Sequence, residues 1–232
     1  MVAEDYRTTA VFQSFGIDFC CKINRTISKV CEDQNIETGV LIAGLNAVTS
    51  KQENKAADYQ SWPLNLLTDY IEKKHHCYVA EKTHLLKQYL DKICEVHGKN
   101  HSELFEISSQ FNASAAELAL HMKKEEQVLF PYIRQMVEAR LSKEQIDQPG
   151  LGFIEQVIEI MMQEHDTEGE RFRHIESLNN NYTPPVDACN TCKVTFALLK
   201  EFEDDLHLHI HLENNLLFPK AMAMEKTLPD YV

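Results

Sequence analysis

The sequence predicts an all-α protein: a small helical N-terminal unit followed by an up-down-up-down four-helix bundle. Three observations point there. Apolar residues recur three and four apart over long stretches, which is the helical period. Only 7 glycines and 7 prolines punctuate 232 residues, and they fall in clusters. Beyond Pro63, breaks at 98–102, 142–150 and 179–187 leave four segments of about 25 to 40 residues with short connections, the proportions of a bundle.

In chain order, residues 1–57 form the N-terminal unit, which contains the run DFCCKINRTISKVC (18–31). Residues 50–62 are polar and precede Pro63, as expected of a linker, and the bundle spans 63–226. Pro131 and Pro219 lie inside the second and fourth bundle segments. Each lacks a backbone N–H and sets its ring against the carbonyl four residues back, so each is expected to kink or end its helix.

Composition excludes several functions. The chain carries 23 basic and 36 acidic side chains, a net charge of -13. Phosphate neutralisation needs the opposite sign, so nucleic acids and anionic membrane surfaces are not expected partners. No window approaches the roughly 18 apolar residues of a membrane span, and Glu4, Asp5 and Arg7 interrupt the place of a secretory signal. A cytoplasmic protein is expected. In a reducing compartment, seven cysteines argue against a disulfide framework and leave metal binding, redox work or burial.

Eleven histidines stand out against a single Trp. HMKKEEQVLFP (His121 to Pro131) and HIHLENNLLFP (His209 to Pro219) share five of eleven positions, 88 residues apart. A bundle built from two similar helical hairpins would produce such a repeat. His and Glu at i and i+4 share a helix face and can reach one metal centre. Composition alone supplies roughly 1.7 His-x3-acid pairs, so the spacing is weak evidence. The equivalence of His121/Glu125 and His209/Glu213 within the repeat is stronger.

Reflection about the loops tests whether four helices bring ligands to one level. His76 and His121 have their midpoint at 98.5, on Gly98; His121 and His165 meet at 143; His165 and His209 meet at 187. All three midpoints fall in or beside predicted loops. One histidine per helix therefore occupies a single layer, with Glu125 and Glu213 one turn away. Four imidazoles and two carboxylates suit two iron ions with bridging Glu, and zinc or manganese would accept the same donors.

Other groups have plainer expectations. His97 lies 21 residues from His76, about 30 Å along a helix, and is placed with His101 near the distal loop in structural hydrogen bonds. His75, His207 and His211 flank ligands as solvated or outer groups, and His84 and His174 have no partner in this scheme. Glu117, one turn before His121, and Glu164, beside His165, are candidate outer carboxylates that orient a ligand or relay iron and protons. Asp204, Asp205, Lys123 and Lys124 read as solvated helix faces.

Adjacent Cys20 and Cys21 can close only a strained ring, easily reduced, as in a redox-responsive pair; two buried thiols acting as small hydrophobes is the alternative. Cys189 and Cys192 have redox or zinc spacing, but no second such pair exists to complete a structural zinc site. Cys77 and Cys94 read as core or surface residues.

These residues resemble the iron-sulfur cluster repair di-iron proteins, the Ric or ScdA-type regulators of cell morphogenesis and nitric oxide signalling. The resemblance is carried by GIDFCCKINRTISKVC (16–31), His75-His76 with Tyr78, VHGKNHSEL (96–104), HMKKEEQVLFP, QEHDTEGE (163–170) and HIHLENNLLFP. The first block is specific to this family, and the last three are shared in outline with wider hemerythrin-like domains. The resemblance implies an ScdA-type N-terminal domain and a hemerythrin-like di-iron bundle with ligands at His76, His121, Glu125, His165, His209 and Glu213. It further implies accessory carboxylates at Glu117 and Glu164. Lys22 and Ile23 stand where the family usually has two glycines, so the backbone freedom glycine would give there is missing.

The implied function is repair of iron-sulfur clusters damaged by nitric oxide or oxidants, with the di-iron centre as iron source and damaged iron-sulfur proteins as partners. An iron donor fits this reading better than a turnover enzyme, because oxygen and imidazole ligands hold iron less tenaciously than thiolates. The alternatives are reversible binding or sensing of O2 or NO, and reduction of NO at the irons with electrons from Cys20 and Cys21. A homodimer is compatible with each.

Overall fold

A computed structural model describes residues 8–17, 25–49, 58–142 and 152–228. The described residues are helical apart from turns and connections, without strands, and no helix among them is long and apolar enough to cross a membrane.

The N-terminal unit contains α1 (Thr8–Ser14), α2 (Ile27–Gln34) and α3 (Thr38–Thr49). Thr26 caps α2 by accepting the Lys29 amide at 3.2 Å, and Asn35 ends it in the left-handed region at φ 55. Phe12, Val30, Cys31, Leu41 and Leu45 form a core of their own. Cys31 is therefore a packing residue. Cys20, Cys21, Lys22 and Ile23 lie outside the described residues.

Four long helices make the bundle: α4 (64–97), α5 (103–142), α6 (Phe153–Leu178) and α7 (190–225). α4 packs on α5 and α7, and α6 packs on the same two, closing an antiparallel ring. Part of the expected linker is folded. Tyr59 and Trp62 pack with Tyr70 at ring separations of 4.8 to 5.6 Å, so residues 58–62 brace the start of α4. At the far end Gly98 is required by space rather than by backbone angle, because a Cβ there would sit 2.4 Å from the Cys94 carbonyl and 2.5 Å from the Phe105 ring.

The prolines end neither helix, so of the two expected outcomes ending is ruled out. In α5 a π-helical turn, Glu125–Leu129, precedes Phe130-Pro131; in α7 the turn Glu213–Leu217 precedes Phe218-Pro219. The carbonyls that the proline rings would strike belong to Gln127 and Asn215, inside those wide turns. The turns absorb both the ring and the missing donor, and the helix continues. α4 carries a third π turn, Ile71–His76.

The bundle core divides in two. A distal cluster centres on Phe111, Phe172 and Phe202, and a proximal one on Phe130, Met136 and Phe218. The histidines and glutamates of the predicted layer lie where the two clusters meet along the helices. Two apolar cores thus sandwich a polar slab.

Candidate metal centre

The three π turns lie at this slab: His76 closes one, and Glu125 and Glu213 open the other two. Such turns recur at functional sites because they widen the helix and re-aim side chains. The structure brings all six predicted ligands together, each at most 4 % exposed. Their donor atoms fall into two groups, each contained within 4.8 Å: His76 with His209, and His121 with His165. Glu125 and Glu213 belong to both groups.

The inward atoms are the four Nε2 nitrogens. Those of His76 and His121 lie 3.3 and 3.4 Å from Glu125 Oε2, that of His165 lies 3.1 Å from Glu213 Oε2, and that of His209 lies 3.0 Å from Glu213 Oε1. Both Glu125 oxygens, Glu213 Oε2 and His76 Nε2 are buried without hydrogen-bond geometry to any partner. Buried carboxylate oxygens left bare are costly. Cations held by the two groups would satisfy them all, so the donor set fits a metal site.

Outer partners fix the ring orientations. His76 Nδ1 donates to Glu126, His121 Nδ1 to Glu164 and His165 Nδ1 to Asn214, each at 2.8 Å. With the proton held on Nδ1, the Nε2 lone pair faces the centre. A proton on Nε2 competes with a cation for this lone pair. Burial alone would lower His121, but Glu125 and Glu164 outweigh it and hold the imidazole up at about 10. His76 is also raised against its burial, chiefly by Glu125. Burial raises Glu213, yet His209 and His165 beside it hold the carboxyl well below the usual range. Burial lowers His209. The bond from His121, aided by Lys124, keeps Glu164 down at about 2. Protons on His121 and His76 thus offset the buried carboxylate charge that a cation would neutralise.

A pocket of about 210 Å³ reaches His121 and His165 from the surface between α5 and α6, past Glu117, Leu120, Lys124 and Glu164. Glu117 sits at its rim, half exposed, and pairs with Arg171 at 2.9 Å.

Known proteins place the chain. Residues 67–221 match the hemerythrin HHE cation binding domain, and residues 1–49 match a domain of unknown function, DUF542, also called ScdA_N. The iron-sulfur cluster repair protein YtfE of Yersinia pestis (strain Pestoides F) is 33% identical over 219 residues, 94% of this chain and 93% of that protein. YtfE of Yersinia pseudotuberculosis serotype O:1b (strain IP 31758) matches equally, and that of serotype IB (strain PB1/+) is 32% identical over the same span. The chain belongs to the hemerythrin-like iron-sulfur cluster repair family.

In this member of the family the two halves of the layer are related by the repeat. Glu126 and Asn214 occupy equivalent positions, each serving the histidine of another helix. Phe130 and Phe218 are also equivalent: Phe130 stacks on His76 at 5.6 Å and 16°, Phe218 on His165 at 5.9 Å and 3°. The symmetry breaks where His75 takes the place of Glu164. His75 is fully buried, stacks on His209 at 5.6 Å, and pairs with Asp205 at 3.0 Å. Asp205 is accordingly no solvated face group, which corrects that expectation. Sequence reasoning missed Glu126 and Asn214, although the residue after each repeated glutamate was a signal for both.

The remaining histidines take ordinary partners. His101 bridges Glu103 and Asp187 at 3.1 and 3.0 Å, His84 meets Gln88, His174 meets Glu106, and His211 is buried against Asn215.

Proposed function

We propose that His76, His121, Glu125, His165, His209 and Glu213 hold two iron ions and that the protein returns iron to damaged iron-sulfur clusters of other proteins. The observation that carries this is the sharing of Glu125 and Glu213 between two groups of histidines, a donor set for two adjacent cations rather than one. Bound iron would supply a reservoir held by imidazole and carboxylate, ligands that exchange more readily than a thiolate cage. Around it, Glu126, Glu164 and Asn214 keep the Nδ1 protons in place, and Phe130 and Phe218 exclude water from two of the four rings. The YtfE proteins of Yersinia, similar over 94% of the chain, are named for iron-sulfur cluster repair, which supports the reading.

A second reading rests on the pocket at His121 and His165, which admits a molecule the size of NO or O2 to one half of the centre. The same chemistry serves a cytoplasmic stress response in which Cys20 and Cys21 are redox candidates; a homodimer is compatible with it. Metal analysis with Mössbauer spectra tests the site, two coupled irons per chain being expected. Loaded protein incubated with a damaged cluster enzyme and a sulfur source should restore its activity. Equal restoration by a Glu125→Leu variant would overturn the proposal, whereas a stable, reversible O2 adduct would favour the second reading.

A further inference from the structure

The distal end of the bundle carries a second constellation, about 30 Å along α4 from the metal layer. Cys189, the N-cap of the helical run Asn190–Leu212 that opens α7, is exposed; Cys192, three residues on, is 1 % exposed in the distal core. At i and i+3 of a first turn the two Cα atoms stand about 5 Å apart, inside the window a disulfide requires. His97, the last residue of α4, stands close enough to Cys189 to act on its thiol. His101 ties the two distal loops together through Glu103 and Asp187, which fixes His97 and Cys189 relative to each other. Among the described residues no metal cage competes for these thiols: groups of three or more metal-binding side chains within 4.8 Å occur only at the six-residue centre.

We propose that Cys189 and Cys192 form a dithiol-disulfide couple that exchanges electrons with low-molecular-weight disulfides, Cys189 attacking and Cys192 resolving. The chemistry of the two thiols differs in the required sense. His97, with the first-turn amides of Cys192 and Thr191, holds the Cys189 thiol down at about 7, while burial and the neighbouring Cys189 push Cys192 up. A thiol with a value near ambient pH is the best attacker, because it combines thiolate fraction with nucleophilicity.

The exchange balances as follows. The Cys189 thiolate attacks RSSR, an S–S bond forms to one sulfur, and RS⁻ departs to be protonated by water. Cys192 then loses its proton to solvent and attacks Cys189 Sγ, forming the internal disulfide and expelling the second RS⁻. The dithiol is oxidised by two electrons, and RSSR becomes two RSH.

The test equilibrates the metal-loaded, reduced full chain in mixtures of reduced and oxidised glutathione. Samples are quenched with acid, alkylated and mapped by peptide mass spectrometry. Cys189 and Cys192 are expected to lose alkylation together in one two-electron step and to yield a linked peptide two hydrogens lighter, while buried Cys31 and Cys94 stay labelled. In Cys192→Ser a single glutathione should remain on Cys189. His97→Gln, by moving Cys189 toward an ordinary thiol, would cut its thiolate at pH 7 by at most about 50-fold; the greater nucleophilicity of the more basic sulfur returns about 8-fold at that limit, leaving alkylation slower by up to about six-fold. Independent alkylation of the two cysteines at every glutathione ratio would overturn the couple, as would an unresolved adduct on wild-type Cys189. An unchanged rate in His97→Gln would remove the histidine from it.

Discussion

Glu203 is the charge most at odds with its surroundings. It is 3 % exposed within the distal core, and burial together with nearby Glu176 pushes its carboxyl up to about 7. A group raised in the folded state contributes stability that is complete below its ordinary value of 4.5 and is lost as pH rises through about 7. The displacement corresponds to about 3 kcal/mol lost at pH 8, or about 2 kcal/mol if the core relaxes around the charge. Glu203→Gln keeps the shape and removes the charge. At pH 8 the variant should be the more stable by about 2–3 kcal/mol, raising the melting temperature by roughly 4–12 °C for a unit of this size. Near pH 4.5 the two proteins should melt together. Calorimetric scans of both metal-loaded proteins between pH 4.5 and 8 provide the measurement, since the metal contribution cancels in the difference. An offset independent of pH, or a variant less stable at pH 8, would refute the reasoning.

Three further outcomes are expected. Glu164→Leu removes the acceptor that orients His121 and should weaken metal binding about 10–100-fold in chelator competition while leaving the helical circular dichroism unchanged. Phe202→Ala empties a fully buried site between Phe111 and Phe172, whose rings lie 5.2 and 5.7 Å away; chemical denaturation should show a loss of about 3–5 kcal/mol. Gly98→Ala forces a methyl group into the Cys94 carbonyl and the Phe105 ring, and should lower the urea midpoint by the equivalent of about 1–3 kcal/mol with an unchanged slope.

The bundle was legible because its physics is local. Helical periodicity, few glycines and prolines, and short connections define four antiparallel rods, and reflection about each connection then gives the heights of His76, His121, His165 and His209. The π turns did not disturb that argument, since one extra residue displaces a side chain along the axis by only about 1.5 Å. They remained hidden because a proline in a helical sequence has the same appearance whether the helix breaks or widens. Pairings across helices were also out of reach. Glu126 meets His76, and Asp205 meets His75, through rotations about the helix axis that a height argument does not contain. Glu117 and Glu164 looked alike in sequence; Arg171 draws the first away while Lys124 and His121 hold the second in place.

Each wide turn also acts as a phase shifter. One residue more than a regular turn rotates everything beyond it by about 100°, so the distal and proximal cores are packed by stripes that would not be collinear on a plain helix. Removing any single residue between Glu125 and Leu129 would restore regular winding and swing Phe130, Ile133 and Met136 out of the proximal core. The count of residues across the turn thereby ties the two halves of the bundle together. Side chains at the slab can be exchanged for metal chemistry, but their number is fixed by the packing on both sides.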